Sequence, residues 1–431
     1  MTQRLLLLEL NEVNFDYVQV YCDQGLLPNL NELISKHGIA RTTSEDVYEH
    51  QEPWIQWVTA HTGKTFAEHG VFRLGDIVKH DIPQIWEILE DKGLRVGAVS
   101  PMNAKHRLCQ PEFFVPDPWT PTDITGPFAL RWLYRGLVQA VNDNASEKVT
   151  PASVAALLVG AGRYARPVNY GEYFHLALSS RKSTWRRAMF LDLLLADVFM
   201  KECRRMRPHF ASLFLNAAAH IQHHYLFSAR PYKGTSRNPN WYIDAASDPV
   251  AEIYQLYDRI IGQLRRMFPQ ARLMLATGLH QVPHESITYY WRLRSHAEFL
   301  NRIRVPFVRV EPRMSRDFLV ICATSDEAAQ AAERLALAVT NDGIPLFEIE
   351  NRGTDLFVML TYPREIKGEL QFKIGEDRFL LAEQDVAFVA LKNGEHSGIG
   401  YFVDTGIRFD DNAEMFPLTD LLGRVTDAFG S

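Results

Sequence analysis

Residues Leu5 to Leu10 read Leu-Leu-Leu-Leu-Glu-Leu and run straight into Asn11-Glu12. This short apolar stretch with a polar exit constrains the fold more than any other feature of the chain. It is too short to cross a membrane or to form the apolar region of a signal peptide. A strand buried on both faces reads instead as a nearly unbroken apolar run, the habit of central strands in parallel sheets. Similar runs return at Arg95–Val99, Phe210–Leu215 and Ala271–Ala276. Between them lie amphipathic helical stretches: 28–36 stopped by His37-Gly38, 82–92 stopped by Gly93, and 251–267. Alternating strands and helices predict an α/β fold built on a doubly wound, mostly parallel sheet flanked by helices.

Two stretches break the alternation. From Pro121 to Arg207, Arg131–Arg135, Pro151–Leu158 and Thr184–Cys203 are helical and rich in Arg, Leu and aromatics. They predict a helical insertion. Residues 305–380 predict a small α+β insertion, with strand Phe318–Cys322, a helix from near Ser325 through Ala328 to Val339, and strand Leu356–Leu360. Val386–Leu391 is expected to rejoin the core, and Pro417–Phe429 to close the chain as a helix. The expected division is 1–120, 208–300 and 385–431 for three parts of the α/β core, 121–207 for the helical insertion and 301–384 for the α+β insertion.

With 431 residues, 46% of them hydrophobic, the chain can bury a large core. Its net charge of -6 is small for this length, and no Lys/Arg block suggests nucleic acid or an anionic membrane surface. Cys22, Cys109, Cys203 and Cys322 are widely scattered and form no CxxC pair. They are expected to be reduced, mostly buried thiols. No leader and no membrane span are read from the sequence, so a cytoplasmic protein is expected.

Five segments then fall in a recognisable order. They are Leu5–Asn11, Leu27-Pro28-Asn29-Leu30 with Leu33 and Gly38, His61-Thr62-Gly63 followed by His69-Gly70-Val71, His396-Ser397-Gly398-Ile399-Gly400, and Phe416–Gly423. Their order resembles the alkaline phosphatase superfamily, in particular its type I phosphodiesterases and nucleotide pyrophosphatases. The resemblance implies an alkaline phosphatase-like sheet and cleavage of phosphoesters. It implies as well two metal ions, held by Asp and His around a Thr or Ser nucleophile, which stabilise charge on the attacking and leaving oxygens.

Half of that machinery is rewritten here. Asn11 stands where the first-strand Asp is expected, the nucleophile position falls at or near Pro53, and Thr277-Gly278 replaces an Asp-His pair, with His280 two residues on. The other half keeps metal-binding residue types. In His220-Ile221-Gln222-His223-His224, the resemblance assigns His220 and His224 to one metal, with His396 as third ligand. Three imidazoles with an open fourth position suit one catalytic zinc ion, the only cofactor expected. The alternative is a His-rich turn that merely hydrogen-bonds substrate or backbone. A metalloprotease is disfavoured: Ile221 occupies the position that needs the general-base Glu, and Pro283 would disrupt a helix carrying His280 and His284.

The vacant nucleophile position turns attention to its neighbours. Glu52 is the first candidate to activate water or attack directly, while Glu9 and Glu12 flank Asn11 and offer a replacement carboxylate. Asn11, Trp54, Gln56, Trp57, Arg73, Thr277 and His280 are the expected substrate contacts. The tryptophans would stack on a sugar or base; the alternative is that they are core. Arg181, Arg186, Arg187, Arg204, Arg205 and Arg207 read as a solvated helix face.

Three functions fit these residues. The first is a hydrolase or transferase of phosphoesters or phosphodiesters, with a sugar-containing substrate as its narrower form. The second is a metal-free or single-metal glycan-acting enzyme using Glu52 with Glu9 or Glu12 as paired carboxylates. The third is a non-catalytic protein that binds a sugar or nucleotide. The expected partner is a small molecule or glycan.

Overall fold

The computed structural model describes residues 4–142, 151–313, 316–410 and 414–430. Its core is a sheet of eight strands: β1 (Leu5–Leu10), β2 (Ala40–Thr43), β3 (Val96–Val99), β4 (Phe113–Val115), β5 (Phe210–Leu215), β6 (Arg272–Ala276), β16 (Ile399–Asp404) and β17 (Met415–Pro417). Their spatial order is β17-β2-β16-β6-β1-β5-β3-β4. All run parallel except β16, which is antiparallel to both β6 and β2. The expected mostly parallel sheet flanked by helices is therefore present.

Every residue of β1 is buried, which is why its sequence lacks an alternating polar face. Leu6, Leu8 and Leu10 join the larger core, packed against α1 (Phe15–Asp23), α2 (Pro28–His37), α9 (Arg186–Met206), α10 (Ala217–Tyr225) and α11 (Pro249–Met267). Leu5 and Leu7 point the other way, towards α3 (Pro53–Thr62), α5 (Ile85–Asp91) and α14 (Asp420–Asp427). Each buried leucine contributes about 1.5–3 kcal/mol by area, and truncation to Ala costs about 2–5 kcal/mol.

Element ends follow local chemistry. α3 starts with Pro53 at its first turn and stops at Gly63, whose φ of 65° is left-handed. α5 starts at Ile85 rather than Ile82, because Gln84 and Glu87 form a capping box just after Pro83. At the C-terminus, Met415–Pro417 is a strand, and the closing helix begins only at Asp420. Proline suits the end of an edge strand but gives no ladder donor.

A short α4 (Phe66–His69) follows α3. Helices α6 (Phe128–Asn142), α7 (Pro151–Tyr164) and α8 (Tyr170–Ser179) precede α9. The last of these is more than an appendage: Leu193, Leu194, Val198 and Phe199 share the core of β5 and β1.

β7 (His280–Leu293) and β15 (Val386–Ser397) form a long antiparallel two-stranded arm. Val386–Leu391 thus does not rejoin the main sheet as expected; it pairs with β7, and the chain re-enters the sheet at Ile399. Beyond the arm, Trp291 to Val386 enclose a separate core. Its elements are α12 (His296–Arg302), β8 (Arg309–Pro312), β9 (Asp317–Ile321), α13 (Ser325–Ala336), β10 (Ala338–Thr340), β11 (Phe347–Asn351), β12 (Asp355–Leu360), β13 (Glu369–Ile374) and β14 (Asp377–Ala382). All four cysteines are free thiols, three buried and Cys109 exposed.

Candidate active site

The sheet delivers its polar groups just past the carboxyl ends of β1, β5 and β6, where open α/β sheets hold ligands. Glu12 lies two residues beyond β1 with a left-handed φ of 61°. Its amide donates to the Thr277 carbonyl (3.1 Å), and its own carbonyl accepts from the Gln222 side chain (2.8 Å). Gln281 donates to Glu12 Oε2 at 2.5 Å. Turn, helix and arm together fix one carboxylate in place.

That carboxylate faces two imidazoles. Glu12 Oε2 lies 3.3 Å from His223 Nε2 and 3.4 Å from His396 Nε2, and ligand atoms of the three residues all lie within 4.8 Å of one another. His396 Nε2 is buried with no hydrogen-bond partner, a donor set short of one occupant. Tetrahedral zinc with bonds of about 2.0–2.1 Å sets neighbouring ligand atoms roughly 3.3 Å apart, so this group fits an ion in spacing and in chemistry.

Burial alone would raise the Glu12 carboxyl, but the His396 and His223 imidazoles outweigh it and hold the group far below the ordinary carboxylate range. Burial likewise works against a charge on His396, and the Glu12 and Glu52 carboxylates overcome it and raise that imidazole. Glu52 Oε2 lies 3.7 Å from His396 Nδ1. Its carboxyl is pushed up by burial and by Glu12, against the pull of His396. Glu52 caps α3 by backbone position only, so its side chain is left free for the site.

The expected metal set is only partly assembled. His396 is in place, but the metal-ligand group contains neither His220 nor His224. His220 is exposed on α10, and His224 Nδ1 shares a hydrogen bond of 3.0 Å with the Leu391 carbonyl of the arm. Burial, His220 and His223 keep the His224 imidazole well below its usual range. His223, passed over in the sequence, takes their place because α10 docks with that face on Glu12. The helix is set in this orientation from outside: buried Asp192 accepts the Ala217 amide at 2.8 Å.

Among the expected catalytic carboxylates, Glu9 is corrected. It is wholly buried and bonded to His61 at 2.9 Å, on the α3 side of the sheet. Strand alternation puts Glu9 with Leu5 and Leu7, away from the site.

Several expected substrate contacts are also spent on structure. Trp57 is fully buried and donates to Asn11 Oδ1 (2.7 Å), while Asn11 Nδ2 donates to Asn216 (2.8 Å) and Glu12 Oε1 (3.1 Å). The indole packs against Gly278, where a Cβ would come within 3.1 Å of the ring. Asn11 therefore belongs to a hydrogen-bonded network of Trp57, Asn216 and the Glu12 carboxylate, and the indole touches both Asn11 and Gly278, the positions the resemblance assigns to a second metal. Trp54 donates to the Phe72 carbonyl, and Gln56 is buried with its amide on the His50 carbonyl. Arg73 pairs with Glu350 of the distal core. Thr277 accepts the Tyr401 amide, and His280 binds the Ile399 carbonyl. Pro53 is the buried first residue of α3 and offers no nucleophile.

Sequence reading missed the far wall. Lys392 and Arg316 are half-buried and form no ion pair among the described residues, and the Arg316 guanidinium lies 4.0 Å from the centre of the Tyr290 ring. Burial lowers the Lys392 ammonium, with Glu395 and Glu52 opposing and Arg316 assisting. A broad hollow of about 710 Å³ lies elsewhere, by the start of β1 and β6, lined by Asn29, Lys36, Arg265 and Arg266. It shares no residue with the Glu12 cluster.

No protein-family model and no curated protein sequence matches the chain. Among solved structures it is similar to phosphonoacetate hydrolase from Sinorhizobium meliloti 1021 in complex with phosphonoformate, at 12% identity and a TM-score of 0.44, over 100% of this chain and 96% of that one. It is also similar to murine ectonucleotide pyrophosphatase/phosphodiesterase 5, at 11% identity and a TM-score of 0.47, over 99% of this chain and 95% of that one.

Proposed function

We propose that this protein is a hydrolase or transferase of phosphoesters or phosphodiesters that works with a single metal ion, most simply zinc, held by Glu12, His223 and His396. The observation that carries the reading is the spacing of 3.3 and 3.4 Å between Glu12 Oε2 and the two imidazole nitrogens, beside a carboxyl of raised proton affinity. Two His and one carboxylate are a known catalytic zinc set; such an ion supplies Lewis acidity and lowers the pKa of a bound water.

The protein's own groups account for the rest. Glu52 takes the proton from an attacking water or hydroxyl, since no side-chain nucleophile occupies the Pro53 position. Its raised proton affinity makes it a stronger base than an ordinary carboxylate. His396 sits between Glu12 and Glu52, so a proton gained by one carboxylate is felt by the other. Lys392 and Arg316 supply positive charge for a phosphoryl group. Of the two planes that the sugar-binding form of the reading needs, Trp57 is fully buried and only the partly exposed Trp54 is left.

The test is turnover of p-nitrophenyl phosphate and bis(p-nitrophenyl) phosphate by zinc-loaded protein. The expected result is release of p-nitrophenol from at least one ester, reduced in both His223→Ala and Glu52→Gln. No turnover above that of the His223→Ala protein overturns the reading.

A second reading follows from Gln281, whose short bond already occupies Glu12 Oε2. Glu12 would then serve as the counter-ion of a protonated His396 in a metal-free site, with Glu52 as the working carboxylate. Full activity after chelation favours it.

A further inference from the structure

Helix α8 is amphipathic in the wrong sense for a simple covering helix. Its inner side is well anchored: Leu176 is buried, Tyr173 donates to Asp197 at 3.0 Å, and Glu172 pairs with Arg259 at 3.1 Å. Its outer side should be polar, yet it carries Tyr170, Phe174 and Leu178 at helical spacing, 55%, 68% and 63% exposed. Val168, just ahead of the helix, is 67% exposed and extends the stripe. Large apolar side chains aligned on one exposed face mark an interaction surface rather than scattered surface residues.

Charge indicates what covers it. Between Pro151 and Leu191 stand six basic residues, Arg163, Arg166, Arg181, Lys182, Arg186 and Arg187, against the single acid Glu172. Arg163, Arg181, Lys182 and Arg187 are exposed and form no ion pair among the described residues. Arg181 and Lys182 directly follow the last turn of α8, at the Leu178 end of the stripe. The whole-chain charge of -6 conceals this cationic segment. No helix among the described residues is long and apolar enough to cross a membrane.

We propose that α8 and the basic turn after it form a peripheral docking surface for an anionic lipid membrane. Tyr170, Phe174 and Leu178 enter the interface, and Arg181 and Lys182 meet lipid phosphates. An apolar helical stripe with adjoining cations is the composition of helices that lie in the plane of a bilayer surface. The cations select anionic lipid, and their attraction weakens with salt.

The test is cosedimentation of the full chain with phosphatidylcholine vesicles and with vesicles of phosphatidylcholine mixed with phosphatidylglycerol. Binding to the mixed vesicles that falls with salt is expected. Phe174→Glu with Leu178→Glu should weaken it roughly tenfold or more, and Arg181→Gln with Lys182→Gln by about fivefold per charge. These side chains are exposed, so circular dichroism melting should stay as in the parent; Phe174→Ser replaces the acidic pair if that pair fails to fold. Equal binding of parent and variants overturns the proposal, as does no binding. Sedimentation velocity supplies the other refutation: self-association abolished by Phe174→Glu, without vesicle binding, would make this a face between copies of the chain.

Discussion

Replacing Asn11 by Asp restores the carboxylate that the resemblance leads one to expect, and the structure predicts damage. Asn11 Nδ2 donates to Asn216 Oδ1 at 2.8 Å and to Glu12 Oε1 at 3.1 Å. An aspartate would face both acceptors with oxygen, in a position 1% exposed. Two charges about 3 Å apart repel by on the order of 5 kcal/mol at an effective dielectric of 20, and each lost hydrogen bond adds about 1 kcal/mol. Rotation of the Asn216 amide returns part of this. The net expectation is a loss of roughly 3–5 kcal/mol, the usual cost of an uncompensated buried charge.

The sign with pH is fixed. Burial and Glu12 raise the pKa of the new carboxyl in the folded state, so the penalty is small near pH 4 and grows as pH rises above the unfolded value of about 3.9. Urea unfolding at pH 4.5 and pH 8, with and without zinc, measures it. A variant as stable as the parent at pH 8 without metal would refute the hydrogen bonds assigned to Asn11. Recovery with a second zinc ion per chain would show that Trp57 does not close the second position.

Other consequences can be checked separately. His223→Ala should remove zinc binding in elemental analysis after dialysis, whereas His220→Ala should retain it, because His220 lies outside the ligand group. Glu52→Gln should lower turnover on the order of 100- to 10,000-fold with little change in melting temperature, since its side chain makes no capping bond; normal turnover removes it from the mechanism. Burial raises Glu87 to about 7, so the folded state holds a proton that the unfolded chain releases above about 4.3. Its contribution to stability is therefore present at low pH and is lost between about 4.3 and 7, on the order of 3 kcal/mol. Glu87→Gln should flatten that part of the stability–pH curve.

What could be read from sequence divides along physical lines. β1 and β5 were legible because a strand buried on both faces has only one kind of sequence, and the two pair in register from Leu5↔Phe210 to Leu10↔Leu215. β15 was not, because its pairing with β7 brings Val386 to Leu293 and Ser397 to His280 across the whole distal core. Nothing local records such a partner, and the bulged register hides the alternation. Trp54 and Trp57 sit near the site, but their orientation depends on Phe72 and Asn11, which are distant in sequence.

The carboxylates and histidines show the same limit more sharply. Glu9 and Glu12 flank one asparagine, yet one lies in the core and the other in the site. Period-2 alternation decides the first: Glu9 shares the side of Leu5 and Leu7, where His61 meets it. The second depends on leaving the strand, because only the left-handed turn at Glu12 carries its carboxylate back over the end of β1. On α10, spacing groups His220 with His224 but cannot say which side of the helix docks. Asp192 at the helix start, Gln222 on Glu12 and Leu391 on His224 decide it together, and they aim His223 inward. The motif thus located the Glu12 cluster to within one helical turn, and the partners of α10 chose the residue.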